Sequence, residues 1–215
     1  VSEGPEAPAS RTLSMEREDL LQLALLFVAS REMDLCLEYY HRGIATRRIA
    51  EALRADASRT FVGAKTGGFE GYGKATAVGL KWGWKLRMAL WIQRRFGYET
   101  DLARLLARRF EVLIVAEFAV RDLITFSRES VSGLVGSQIV AEVEKLLEGR
   151  LAGILGALEA VSLQFPSFAS DLHQRYLNRI ALGLEQTQYR EQLRQSVISL
   201  EVFEDLEIDR RVRQS

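Results

Sequence analysis

Beyond residue 13 the apolar residues recur at helical spacing almost without interruption, and period-two alternation is missing. Ile49, Leu53, Ala57 and Phe61 fall four apart, and Ile139, Val143, Leu146, Leu147, Leu151, Ile154, Leu158 and Val161 lie on one broad face. The β-branched residues sit inside these periods. Side chains patterned this way are buried only by packing helix on helix. The expectation is an all-α fold, a bundle of about seven long antiparallel helices.

Breaks in the pattern divide the chain. Residues 1–13 carry Pro5 and Pro8 and read as a linker or disordered tail. Residues 14–62 read as an N-terminal helical pair. Ser14 is the expected N-cap of its first helix, with Glu16 and Glu18 in the first turn, and that helix ends near Gly43; the second covers 46–62. Residues 63–73 (GAKTGGFEGYG) hold five glycines in eleven residues and read as a hinge unable to sustain a helix. Residues 74–215 then form a helical bundle. A third helix spans 75–96 and stops at Gly97. A fourth is opened by Thr100 and Asp101 and runs to 128, and SVSGLVG at 130–136 loosens the chain. A fifth spans 137–163 and is ended by Phe165-Pro166, because a residue before proline is pushed out of the α region. A sixth spans 167–186. After an interruption near Tyr189, a seventh carries Leu193, Val197, Leu200, Phe203, Leu206 and Ile208 to Val212.

Charge and cysteine content narrow the function. Twenty-nine basic residues balance 29 acidic ones, so there is no global attraction to nucleic acid, and none is expected as a partner. The single cysteine, Cys36, excludes an intrachain disulfide and a zinc site built on several thiolates. It is expected to be a small buried residue in a reducing compartment. The most apolar stretch, Val112 to Phe126, is interrupted by Glu117, Arg121 and Asp122 and reads as a buried helix, not a membrane span. No secretory signal is visible. The chain starts at Val1 and is expected to be a fragment or a processed product.

Several motifs invite a chemical reading. Residues 68–75 (GFEGYGKA) nearly match the phosphate-binding loop, which needs a hydroxyl after its lysine to hold magnesium and a preceding strand. Ala75 follows Lys74 instead, and a helix precedes. Lys74 to Tyr98 contains six basic residues, no acid, and Trp82, Trp84 and Trp91. Such a helix can lie on an anionic membrane surface. It can equally bury its indoles and turn its basic face toward the acids of Glu201 to Asp209. His41 and His173 have no ligand-pattern neighbours. Glu117 and Arg121, four apart, are expected to form a structural ion pair. Gly149, Gly153 and Gly156, with Ala152, Ala157 and Ala160, serve either tight internal packing or self-association. No catalytic, cofactor-binding or metal-binding residues are expected, and the chain is read as non-enzymatic.

A longer pattern runs through the second half. An apolar helix with a mid-helix Arg121 is followed by a Gly/Ser break and a helix bearing Glu142, Glu144 and Glu148. The stop Gln164-Phe165-Pro166, the run DLHQRYLNR at 171–179, Leu184-Glu185 and a final leucine- and acid-rich helix complete it. Earlier, YHRGIAT at 40–46 precedes Ala50 to Leu53. Together these resemble the cytoplasmic helical region of sodium/proton antiporters of the plant salt-overly-sensitive exchanger type and their bacterial relatives. The resemblance implies a regulatory and dimerisation role at the cytoplasmic face of the cell (inner) membrane. Its partners would be the chain's own membrane-embedded transport domain and a second copy, joined through the fifth to seventh helices. A stand-alone helical adaptor or ligand-binding regulator is the alternative.

Overall fold

The computed structural model describes residues 17–80, 100–164 and 166–214. The elements are α1 (Arg17–His41), α2 (Arg47–Leu80), α3 (Thr100–Phe126), a π-helical turn (Ser127–Val131), α4 (Ser132–Val135), α5 (Ser137–Gln164), α6 (Pro166–Arg194) and α7 (Leu200–Gln214). Among the described residues there is no strand, so the all-α expectation holds. The N-cap at Ser14, the 1–13 tail, Gly97 and all three tryptophans lie outside the described residues.

α1 carries Glu18 and Asp19 in its first turn, where the helix dipole favours acids. Its buried residues, among them Leu25, Val28, Ala29, Leu35, Cys36 and Tyr39, follow the three-and-four spacing of a core-facing stripe. It ends at Gly43, whose φ of +71° belongs to the left-handed region where only glycine is free of strain. The amides of Ile44 and Ala45 both return to the Tyr39 carbonyl, at 2.9 and 3.1 Å, so the turn into α2 is tight. Gly183 of α6 crosses this turn so closely that a Cβ on it would stand 2.5 Å from the Arg42 carbonyl oxygen.

The stretch 63–73, expected to be unable to sustain a helix, is helical on either side of a single break. The backbone there is helical except at Gly67 (φ −138°, ψ 15°) and Gly68 (φ 52°, ψ −132°), where α2 breaks sharply. The glycines divide their work. Gly68 adopts a backbone conformation closed to L side chains, while Gly63 and Gly71 press the two halves together. A Cβ on Gly63 would lie 2.5 Å from the Gly71 carbonyl oxygen, and one on Gly71 would meet the Gly63 carbonyl in turn. The side-chain amide of Gln22 donates to the carbonyls of Ala64 and Lys65, at 3.0 and 2.8 Å, and so satisfies groups left open where the first half ends.

α1 and α2 form the most extensive helix pair, and both also touch α3 and α5. Their buried side chains belong to one cluster with those of α3, α5 and α6, in which Val28, Ile49, Val115, Leu123, Leu147 and Ile154 are nearly or wholly inaccessible. The broad face expected on the fifth helix is the buried face of α5: Ile139, Val143, Leu147, Ile154 and Val161 are buried, and Leu146, Leu151 and Leu158 are partly so.

The end of the chain also departs from expectation. α6 continues through Tyr189 to Arg194, and the break falls at 195–199. Its cause is Ser196 at φ 57°, a left-handed helix stop of the kind usually given to glycine. Val197 N–H donates to the Gln192 carbonyl at 2.8 Å, and Ser199 Oγ accepts from Val202 N–H at 3.3 Å to begin α7.

Alanine at Gly63 or Gly71 forces the two halves of α2 apart, with an expected loss of about 1–3 kcal/mol by analogy with overpacked cores. Gly149 and Gly156 have no atom within 4 Å of an added Cβ. Alanine there is expected to stabilise by about 0.5–1 kcal/mol, through helix propensity alone. Urea unfolding followed by circular dichroism measures both signs.

Candidate functional site

The densest buried polar chemistry joins α1, both halves of α2, and α5. Glu32 sits within the buried stripe of α1, three and four residues from Val28, Ala29, Leu35 and Cys36, so the helix carries its carboxylate into the core. Arg150 lies between the buried Leu147 and Ile154 on α5 and approaches from the opposite side. Its Nη2 donates to Glu32 Oε1 at 2.5 Å and its Nη1 to Oε2 at 3.0 Å, a two-pronged pair with side chains 9% and 3% exposed. Nη1 also reaches Tyr72 Oη, at 3.3 Å, in the second half of α2. Thr60, in the first half, donates to the Ala57 carbonyl at 2.8 Å, and its Oγ1 lies 3.3 Å from Glu32 Oε2. Cys36 Sγ donates to the Glu32 carbonyl at 3.1 Å.

The electrostatics follow from burial. Desolvation opposes the charge on Arg150, but Glu32 and Tyr72 outweigh it and hold the guanidinium pKa above its ordinary value. Burial pushes Tyr72 up to about 12, against the pull of Arg150. Burial likewise raises the Cys36 thiol to about 12, which leaves it an unreactive thiol at neutral pH.

A cavity of about 30 Å³ adjoins the network, lined by Leu53, Asp56, Thr60, Thr76, Arg109 and Arg150. It has room for water rather than for an organic substrate. Burial raises the Asp56 carboxyl, countered by Arg59 and Arg150. Burial lowers the Arg109 guanidinium, countered by Asp56. Asp56 is hydrogen-bonded to Arg59. Together these groups form a cluster of opposite charges whose clearest capacity is to fix α1, both halves of α2, α3 and α5 in one register.

Comparison with protein-family models, with curated proteins and with solved structures found no match. The chemistry of the site is therefore read from its own residues.

The near-match to a phosphate loop is not a loop. Lys74 lies inside the second half of α2, pairs with exposed Glu70 at 3.1 Å, and follows helix rather than strand. Of the basic stretch 74–98, only Lys74 to Leu80 is described, as helix. His41 is exposed with its ring against Tyr40, and exposed His173 lies on α6. Glu117 and Arg121 form the expected pair, at 2.9 Å. Cys36 is buried, as expected. Of the small residues of α5, Ala157 is partly buried and packs against the core, while Gly149, Ala152, Gly153, Gly156 and Ala160 are exposed. Among the described residues, no group of three or more His, Cys, Asp or Glu is placed to hold a metal, and no helix is long and apolar enough to cross a membrane.

The sequence reading passed over Glu32, Thr60, Tyr72 and Arg150. The signal was present in one form: a lone acid in the apolar stripe of α1 and a lone base in that of α5, each flanked at helical spacing by residues that must be buried. Opposite charges on two such stripes are expected to meet.

Replacing Arg150 with Met strands a buried carboxylate and is expected to cost about 3–5 kcal/mol. Adding Glu32→Leu to Arg150→Met should recover most of that loss, and a double-mutant cycle by chemical denaturation measures the coupling. Tyr72 titrates higher folded than unfolded. Its contribution is thus complete below pH 10 and is lost as pH rises toward 12, in total about 2–3 kcal/mol. The unfolding midpoint should fall across that window, and less steeply in Tyr72→Phe.

Proposed function

We propose that this chain is a regulatory and dimerisation module, not an enzyme, and that it acts as the cytoplasmic region of a membrane sodium/proton antiporter of the plant salt-overly-sensitive exchanger type. The observation that carries the mechanical part is the contrast between a bolted core and a projecting arm. α1, α2, α3 and α5 surround the Glu32–Arg150 pair. Among the described residues, α7 is packed against α6 and no other element, and beyond Gly183 no residue of α6 is buried. A rigid body bearing an arm transmits a displacement from one docking surface to another, which is what coupling between sites requires.

The antiporter assignment rests on the sequence pattern from Arg121 through the 171–179 run to the acidic final helix. In this proposal the long antiparallel helices dock beneath the transport domain, two copies associate through α5 to α7, and Lys74–Tyr98 meets the anionic inner surface of the membrane. A stand-alone adaptor is the outcome against which the proposal is tested.

The complete reading frame should continue upstream of Val1 into a polytopic membrane segment. Everted vesicles carrying the whole protein should exchange sodium for protons. Truncation after Arg194 should shift the pH dependence of exchange while leaving the maximal rate within about twofold, as expected of a coupled regulator. A frame that opens just before Val1, or vesicles without exchange, would leave the adaptor and overturn the antiporter.

A further inference from the structure

A groove of about 320 Å³ lies open between α1 and the start of α2. Helix geometry decides what lines it. Arg47, Ala50, Glu51 and Arg54 stand at spacings of three, four and seven and so share one side of α2, over two turns or roughly 10 Å. Leu37 and Tyr40, one turn apart on α1, form the facing wall and are 42% and 44% exposed. Cys36 and Ala50 are buried and close the groove from below. The leucine and the tyrosine ring leave apolar surface in water that a ligand gains by covering.

The α2 wall carries two guanidiniums and one carboxylate. Arg47 and Glu51 satisfy each other at 2.9 Å. Arg54 is exposed and has no ion-pair partner among the described residues. The acids next along each helix, Glu38 and Asp56, are taken up by Arg31 and Arg59. The groove therefore sets one uncompensated cation opposite an apolar wall.

Size narrows the occupant. Sites for organic molecules span roughly 300–1,000 Å³, and this groove stands at the lower limit. It has room for one head group and an apolar body of about eight carbons. Two apolar side chains one turn apart are too few to hold the longer stripe of anchors by which a partner helix docks.

We propose that the α1–α2 groove binds a small amphipathic carboxylate, with its head group on Arg54 and its apolar body against Leu37 and Tyr40. A guanidinium meets a carboxylate with two parallel hydrogen bonds, which fixes the orientation of the ligand. One negative charge matches one free cation, whereas a phosphate monoester would bring nearly two. The site binds and does not react: burial raises the neighbouring Cys36 thiol to about 12, so it stays protonated at neutral pH. This goes beyond the regulatory and dimerisation role proposed above and is independent of it.

An amide NMR titration of the full chain with octanoate tests the site. Saturable shifts are expected at Leu37, Tyr40, Ala50 and Arg54, with a dissociation constant on the order of 0.1–1 mM for a ligand of this size. Acetate, the same head without the body, should bind about thirtyfold more weakly or worse, because it covers neither Leu37 nor Tyr40. Octylammonium, the same body with the opposite charge, should not saturate these amides. Arg54→Gln should weaken octanoate about tenfold. Glu51→Gln should tighten it about threefold, because Arg47 is then released to the ligand. Both positions are exposed, and unchanged circular dichroism confirms the fold of each variant. Absence of saturable shifts with octanoate, equal binding of octylammonium, or an indifferent Arg54→Gln overturns the site. So do shifts at the same amides that grow with protein concentration alone, which would mean that a second copy covers the groove.

Discussion

A carboxylate and a guanidinium placed in an apolar interior constrain everything around them. Each alone would demand water, and each is held there only because the other arrives in register. Glu32 is fixed on α1 and Arg150 on α5, 118 residues apart in the chain. Their meeting at 2.5 and 3.0 Å sets the height and rotation of these two helices relative to one another. Thr60 and Tyr72 extend the constraint to both halves of α2. Apolar packing alone tolerates sliding by a fraction of a turn; a two-pronged ion pair does not. The net stabilisation is small, because desolvation offsets most of the attraction. What the pair supplies is a single arrangement of the core.

The Tyr72 contact depends on the glycines. Tyr72 follows Gly71 directly, and Gly71 lies against Gly63 with no side chain between the backbones. Bulk at either glycine would displace the helix that presents the phenol to Arg150. The sharp reversal at Gly67–Gly68, the close crossing at Gly63 and Gly71, and the buried polar cluster are thus successive parts of one mechanical unit. The remaining long-range ties are more peripheral. Tyr39 Oη donates to Asp122 at 2.7 Å and links α1 to α3, while Arg179 meets Glu111 at 3.2 Å and links α6 to α3.

How much of this could be read from the chain depends on which physical signal was periodic. The helices and their buried faces were legible, because Ile49, Leu53 and Ala57, or Ile139, Val143 and Leu147, repeat at the pitch of the element they form. The glycine-rich stretch was legible in part: a break falls inside it, at Gly67–Gly68, but the helix on either side was not foreseen, because glycine content reports flexibility and close approach with the same letters and only the partner at eight residues' distance separates them. The stop at Ser196 was invisible: serine in the left-handed region is held there by the turn's own hydrogen bonds, with no glycine or proline to announce it. The central polar cluster was legible only in retrospect, since pairing a lone acid with a lone base across the chain requires knowing which helices touch.

The π-helical turn between α3 and α4 has a consequence for chain length. Leu123, Ser127, Val131 and Val135 are all buried, four residues apart each time. In a regular α-helix a strict four-residue spacing drifts by about 40° per step, so the last of them would have rotated well away from the core. The wider turn at Ser127–Val131 absorbs one extra residue and cancels that drift. This short stretch can therefore exchange one amino acid for another more readily than it can lose one. Deleting a single position would turn every downstream side chain to a new bearing, and the phase of α4 with the core rests on a count rather than on a composition.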